Sequence, residues 1–371
     1  MSWTITADLI PDLARGAAVL GTGGGGDPYV GALLAAQALA EYGPVEVVSV
    51  DEVPADAVVV TAAMMGAPTV MVEKLPGIEE VARPVRELSE HYGAPITHIA
   101  CAEVGGVNST IPVVAAAALG LPLIDGDGMG RAFPELQMVL PTLDGIEASP
   151  LAYADEKGNV GVLRAVDNHW VERIARVAAV EMGCSIMISG FQMSGEQAAR
   201  ALVRDSLRTC LQIGRTITAA QDAKTDPVQA TADLLGGRTL FSGKVVDVER
   251  KTNAGFARGT ARLEAASAAT DGTGEPDRLE LSFQNEHLVA RLGDQVMATT
   301  PDLIIVLDHD SGEPVTTEAL RYGQRVSVLA APADERWHSP EGIELVGPRY
   351  FGYDLDPHRF DGTVRLQEAG A

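Results

Sequence analysis

Cysteine is scarce in this chain: three residues in 371, Cys101, Cys184 and Cys210, far apart and with no CxxC pair. That excludes a disulfide-stapled secreted scaffold and points to a reducing cytoplasm. Basic residues are few as well, 28 Lys and Arg against 51 Asp and Glu, a formal net charge of −23. Such a surplus repels phosphate backbones and anionic lipid, so neither nucleic acid nor a membrane surface is an expected partner. Long apolar runs are missing too. The longest candidate, residues 111–124, is alanine-rich and broken by Gly120 and Pro122, short of the ~18 residues of a membrane span. The opening MSWTITADLIPDLARG has no basic stretch leading into an apolar one, so no signal peptide is read there.

What is present is core material and glycine. Hydrophobic residues make up 46% of the chain, and 39 glycines fall in clusters. The length suits two domains of roughly 100–200 residues. In the first part, helical spacing over 6–20, 27–42, 77–92 and 109–119 alternates with strand-like runs over 45–50, 57–61, 96–101 and 121–124. Asp27 and Pro28 stand as N-cap and first residue of the second helix. This alternation predicts an α/β domain, residues 1–165, on a mostly parallel sheet. Residues 151–166 read as a hairpin around Glu156-Lys-Gly-Asn159, and 171–182 and 196–221 as helices. From 240 to 331 the chain reads as successive strands with turns near 271–274, 293–294, 311–312 and 322–323. Residues 166–371 are therefore expected to form an α+β domain: helices, an antiparallel sheet or barrel, and a C-terminal tail.

Three constellations could carry chemistry. Gly21-Thr-Gly-Gly-Gly-Gly-Asp-Pro28 lets several backbone N–H groups face one ligand beside a helix start, so Thr22, Gly23, Gly24 and Gly25 are candidate substrate contacts. It fits G-x-G-x-x-G formally, but no firm strand precedes it and Asp51, the nearest acid at a strand end, lies too far on. NAD or FAD is disfavoured, and no Lys-Ser/Thr follows to make a Walker loop. In Cys101-Ala-Glu-Val-Gly-Gly-Val-Asn-Ser109, Glu103 leaves a strand end as a candidate acid, base or metal ligand. Asn108 is either a helix cap or a substrate contact. Asp125-Gly-Asp-Gly-Met-Gly-Arg131 offers two carboxylates one residue apart. In extended backbone they face one way and could hold a divalent cation or share a proton, with Arg131 and Glu135 nearby. Met129 and Leu136 at the fifth and twelfth positions rule out an EF-hand. Later, Gln284-Asn-Glu-His287 interrupts an alternating strand with four polar residues, and one face of it must be buried or line a domain cleft. Histidines are scattered with no H-x-x-x-H pair, so no multi-histidine zinc centre is visible.

GTGGGGDPY (21–29), AEVGGVNS (102–109), DGDGMGRAFPELQM (125–138), GKVVDVERKTNAGF (243–256), SFQNEHLVA (282–290), PDLIIVLD (301–308) and GPRYFGYD (347–354) together resemble the S-methyl thiohydantoin desulfurase family, once known only as a domain associated with hydantoinase and oxoprolinase proteins. The resemblance implies a two-domain fold and a hydrolase that attacks the sulfur-bearing carbon of a thiohydantoin-type ring with water, releasing a thiol. Such chemistry needs a base or metal hydroxide for water, an acid for a ring nitrogen and donors for the ring edges. On that reading Asp125 or Asp127 is base or metal ligand, and Glu103 and Glu135 are the reserve acid pair. The glycine loop holds a ring carbonyl, Asn108 or Arg131 orients a carboxylate tail, and Gln284 and Glu286 complete the substrate contacts. Two other readings stand beside it: a non-catalytic partner of a hydantoinase or oxoprolinase-type protein, and a nucleotide-dependent enzyme using the glycine loop. Apolar surface on an acidic chain also suits a homo-oligomer.

Overall fold

The computed structural model describes residues 2–360 apart from 27, 67–69, 71–73, 75, 254–255 and 266–276. Asp27 and the turn expected near 271–274 lie outside the described residues. β1 (Trp3–Ile5) leads into α1 (Ile10–Leu20) and α2 (Pro28–Tyr42), followed by β2 (Val45–Ser49), β3 (Val59–Gly66), α3 (Ile78–Tyr92), β4 (His98–Cys101), α4 (Ile111–Leu119) and β5 (Leu123–Asp127). The short helix α5 (Leu140–Leu143) precedes the hairpin β6 (Leu151–Ala154) and β7 (Val160–Leu163), the helix α6 (Asn168–Glu181) and the strand β8 (Ser185–Met193). The main path of the first sheet runs β1-β2-β5-β4-β3-β8-β6-β7. Its centre, β2-β5-β4-β3, is parallel, and the strands outside that centre join antiparallel. Both faces of β5, β4 and β3 are buried, which is why the apolar stretches there show no alternation, whereas β2 leaves Glu46 exposed.

β8 carries no alternation either. All of it is buried except Gln192, and a run of small and apolar residues gives no period to separate strand from buried helix. It returns the chain, after residue 166, to the first sheet. The helix expected over 196–221 is in fact α7 (Gly195–Ala201), a two-residue strand β9 (Val203–Arg204) and α8 (Ser206–Ala223). The break comes where β9 pairs with Gly126 and Asp127 of β5, and Asp205 takes a left-handed φ of 56°. Apolar spacing continues straight through this corner, so periodicity does not reveal it.

After α9 (Pro227–Leu234), β10 (Arg238–Asn253), β11 (Phe256–Ala265), β12 (Arg278–Gln284), β13 (Glu286–Leu292), β14 (Gln295–Thr299), β15 (Leu303–Asp308) and β16 (Arg325–Ala331) form one antiparallel sheet. Its order is β14-β13-β12-β11-β10-β16-β15. Its ends curl toward each other, β15 packing near β13 and β14 without pairing to them, around a core of its own. α10 (Pro340–Val346) and the 3-10 turns beside it bring the chain back to the first sheet. There Trp337 donates to the Met129 carbonyl at 2.8 Å and meets Phe133 edge-on. Among the described residues no helix is long and apolar enough to cross a membrane.

Candidate active site

The carboxyl ends of β3, β4 and β5 open into a cleft, the place where open α/β sheets take ligands. Met64 and Met65 come from β3, Glu103 follows β4 and Met129 follows β5. Ile188 and Phe191 of β8 face them, and the second sheet contributes Asn285 and Glu286 from the corner between β12 and β13. That corner turns on Asn285, which has a left-handed φ of 56°. Its Oδ1 accepts from the Ala257 amide at 2.9 Å.

Two buried carboxyls line this cleft. Glu103 Oε1 accepts from Asn108 Nδ2 at 2.6 Å, while Glu103 Oε2 is buried without a hydrogen-bond partner. Asn108 is itself fixed: its Oδ1 accepts from the Met64 amide at 2.7 Å and its Nδ2 also donates to the Met64 carbonyl at 3.1 Å. Burial pushes the Glu103 carboxyl up to about 8, with the Asn108 bond pulling against it and the charge of Asp127 adding to it. Glu286 is pushed well above the ordinary glutamate range, by burial first and by Glu103 second, with the Arg131 guanidinium opposing. Its Oε2 is likewise unpartnered. Two raised carboxyls, each with a spare oxygen, thus line one largely apolar cavity.

The glycine loop does a different job from the one expected. It is entered from α1, a helix, so it is not the strand-to-helix turn of a dinucleotide fingerprint. Thr22 Oγ1 accepts from Arg131 Nη2 at 2.8 Å, the Thr22 carbonyl accepts from the His287 amide at 2.8 Å, and the Gly23 carbonyl accepts from Thr317. A Cβ on Gly23 would lie 2.6 Å from the His287 ring, and one on Gly24 would lie 1.9 Å from Glu286 Oε1. Thr22, Gly23 and Gly24 are therefore the seam between the two sheets, and the absence of side chains there lets Glu286 reach its place. Of the four expected loop contacts, Gly25 alone lines the cleft. Behind the seam, His287 is fully buried with both ring nitrogens unpartnered, and burial lowers it to about 3, so it is neutral. Gln284 is buried beside this corner but does not line the cavity.

Asp125 and Asp127 face one way, as extended β5 requires, but away from the cleft. Asp127 Oδ2 accepts from the amides of Val104, Met129 and Gly130 at 3.0, 2.9 and 2.8 Å, and its Oδ1 from Ser206 Oγ at 2.5 Å. Asp125 accepts from the Leu207 and Arg208 amides and from Trp3 Nε1. They anchor the start of α8 and the turn after β5. Their oxygens meet N–H and O–H donors, the opposite of what a cation's ligands need, and neither lines the cavity. Among the described residues, no group of three or more His, Cys, Asp or Glu side chains could hold a metal ion. Arg131 is a strut rather than a substrate contact. It is fully buried, donating to the carbonyls of Pro301 and Asp302, to Thr22 and to Ala132, and it lies over the Phe133 ring. Glu135 does line the cleft, with Oε2 accepting from Gln137 and from Tyr350 Oη at 2.7 Å. Cys101 is wholly buried, and its thiol is raised well above the ordinary range by desolvation, so it is no nucleophile.

Sequence reasoning missed Arg176 and the walls formed by Met64, Met65 and Phe191. Arg176 lies four residues after Glu172 on α6, a spacing that reads as a surface pair, and nothing local marks it as lining a cavity.

Two family models cover nearly all of the chain: the N-terminal domain of S-Me-THD-like proteins matches residues 8–165, and the C-terminal domain of the same group matches residues 166–360. No curated protein gives a significant match. Among solved structures, a crystal structure of a protein from Chromobacterium violaceum is similar at 25% identity. It has a TM-score of 0.78, over 97% of this chain and 100% of that one.

Proposed function

The chain belongs to the S-Me-THD-like family, and from that premise we propose that it is a hydrolase of S-methyl thiohydantoin-type rings, with Glu103 and Glu286 as its acid–base pair. The observation that carries the reading is the pair itself: two buried carboxyls, both raised, each with an unpartnered oxygen, lining one cavity. In the singly protonated form of such a pair one member is a base and the other an acid.

The reaction follows from that state. The ionised carboxylate takes a proton from water as the water oxygen bonds to the ring carbon bearing sulfur. The protonated partner gives its proton to the adjacent ring nitrogen. In the second half the hydroxyl proton of the tetrahedral carbon returns to the pair, the C–S bond breaks, and the pair's other proton goes to the departing thiolate. A hydantoin and methanethiol leave, and the pair regains its single proton. Met64, Met65 and Met129 with Phe133 and Phe191 suit a methylthio group, since thioether and aromatic surfaces are soft and apolar.

The test is thiol release from an S-methyl thiohydantoin by the purified protein and by Glu103→Gln and Glu286→Gln. Release by the wild type is expected, with a loss of roughly 10²-fold or more in each variant. No release by the wild type, or full rates in both variants, would overturn the assignment.

A further inference from the structure

α6 buries Val171, Ala175 and Ala179 in the core on one face of the first sheet, and its opposite side is open. Trp170, Ile174, Val177 and Val180 stand exposed along that side, Val177 the most at 65%. Spaced by four, three and three residues, they form one apolar stripe about 15 Å long. α3, on the other face of the same sheet, is an ordinary solvated helix: its exposed positions are Glu79, Arg83, Glu90 and His91. In α6 the only exposed carboxylate is the last residue, Glu181. Arg173 flanks the stripe, its guanidinium 5.4 Å from the centre of the Trp170 ring. Neither Arg173 nor Glu181 makes an ion pair among the described residues. Apolar residues scattered singly on a surface need no partner, whereas four in one stripe mark an interaction surface.

We propose that the open side of α6 is a two-fold interface with a second copy of this chain, the two helices packing antiparallel with Val177 at the axis. The stripe is complementary to itself. A two-fold axis at Val177 brings positions equally far on either side to the same level. Val177 then meets its own copy, Ile174 comes level with Val180 of the partner subunit, and Arg173, four residues before the axis, comes level with Glu181 of the partner subunit, four after it. One rotation makes both apolar pairs and both ion pairs, the isologous arrangement of a C2 dimer. Charge favours the same face. Two copies of a chain carrying −23 repel each other, and along this stripe no exposed carboxylate of α6 stands before Glu181. The inner side of α6 reaches the cleft. Glu172 Oε2 accepts from the Leu136 amide at 3.0 Å and Arg176 Nη2 donates to the Pro134 carbonyl at 3.2 Å, and both Leu136 and Pro134 line it. A second copy seated on α6 thus braces a wall of the cleft from outside.

Sedimentation of the full chain from about 1 to 100 µM should show a monomer–dimer equilibrium, the affinity range of a small interface. Val177→Glu, which sets two unpaired acids at the axis, should weaken association at least about 100-fold. Val177 is exposed in the single chain, so this variant should keep the melting temperature of the dilute wild type. Arg173→Glu and Glu181→Arg should each weaken association by roughly 3- to 10-fold, and the two together should restore it. In a Cys184→Ser background, which removes the one cysteine that is not buried, Val177→Cys should join two chains through a disulfide under a mild oxidant. Tyr322→Cys, exposed on a turn of the second sheet, should not. A wild type that stays monomeric at the upper concentration overturns the proposal, whatever other protein the stripe takes. So does a dimer that Val177→Glu leaves intact, or equal cross-linking at 177 and 322. A double charge swap that fails to restore association overturns the antiparallel pairing.

Discussion

Replacing Glu103 by Gln isolates one raised carboxyl, because Gln Oε1 can still accept from Asn108 Nδ2. The Glu103 carboxyl titrates at about 8 in the folded chain against an ordinary 4.5. A raised carboxyl gives its full share of stability below the unfolded value, where both states are protonated. As pH climbs from 4.5 toward 8 the unfolded chain ionises and the folded chain does not, so that share is lost through this window and stays flat above it. At about 1.36 kcal/mol per pKa unit, the wild type should lose roughly 3–4 kcal/mol between about pH 5 and pH 8 from this group. Gln does not titrate. The difference in unfolding free energy between variant and wild type should therefore grow in favour of Glu103→Gln by that amount, measured by urea denaturation of both proteins across this range. A difference constant to within about 0.5 kcal/mol would show that Glu103 titrates normally, and would remove the physical basis for the acid–base pair.

Gly24→Ala places a Cβ 1.9 Å from Glu286 Oε1. It should cut thiol release at least about tenfold while costing roughly 1–3 kcal/mol of stability, and an unchanged rate would mean that the Glu286 position does not matter. Asp127→Asn turns an amide toward three backbone N–H groups and should cost about 2–4 kcal/mol; a melting temperature equal to the wild type would refute the anchoring role. The rate against pH should rise through the Glu103 value of about 8, as that carboxyl ionises and becomes the base while Glu286, raised by burial, keeps its proton. A rate that is flat from about pH 6 to pH 9 would exclude Glu103 as the base. Arg131→Met strips a donor from Thr22 and three carbonyls and a counter-charge from Glu286. It should destabilise the fold by roughly 3–5 kcal/mol, read by denaturation, and a loss under about 1 kcal/mol would contradict its role as a strut.

The alternating helices and strands of the first half, and the antiparallel run after 240, are legible because each element buries one face or one continuous run, and burial imposes a period on the sequence. Glu103 is legible for a related reason: a polar residue at the end of an apolar strand, followed by glycines, marks the rim of a sheet. Four polar residues in a row at 284–287 likewise announce that something other than solvent faces them. Beyond this the sequence is silent on partners. Asp125 and Asp127 look like a ligand pair until Ser206, Leu207 and Arg208, some 80 residues later, arrive with the donors that satisfy them. The glycines 23 and 24 look like a loop lining a small polar ligand, and the tertiary fold instead sets His287 and Glu286 where their side chains would be. Arg176 has the spacing of a surface ion pair, and only the approach of β3, β8 and the 284–287 corner makes its surroundings a cavity. Local sequence fixes periodicity, turns and the chemistry available at each position. Which oxygen stays free, and which charge faces a ligand, depends on donors that can lie roughly 80 to 200 residues away, and only the folded chain brings those together.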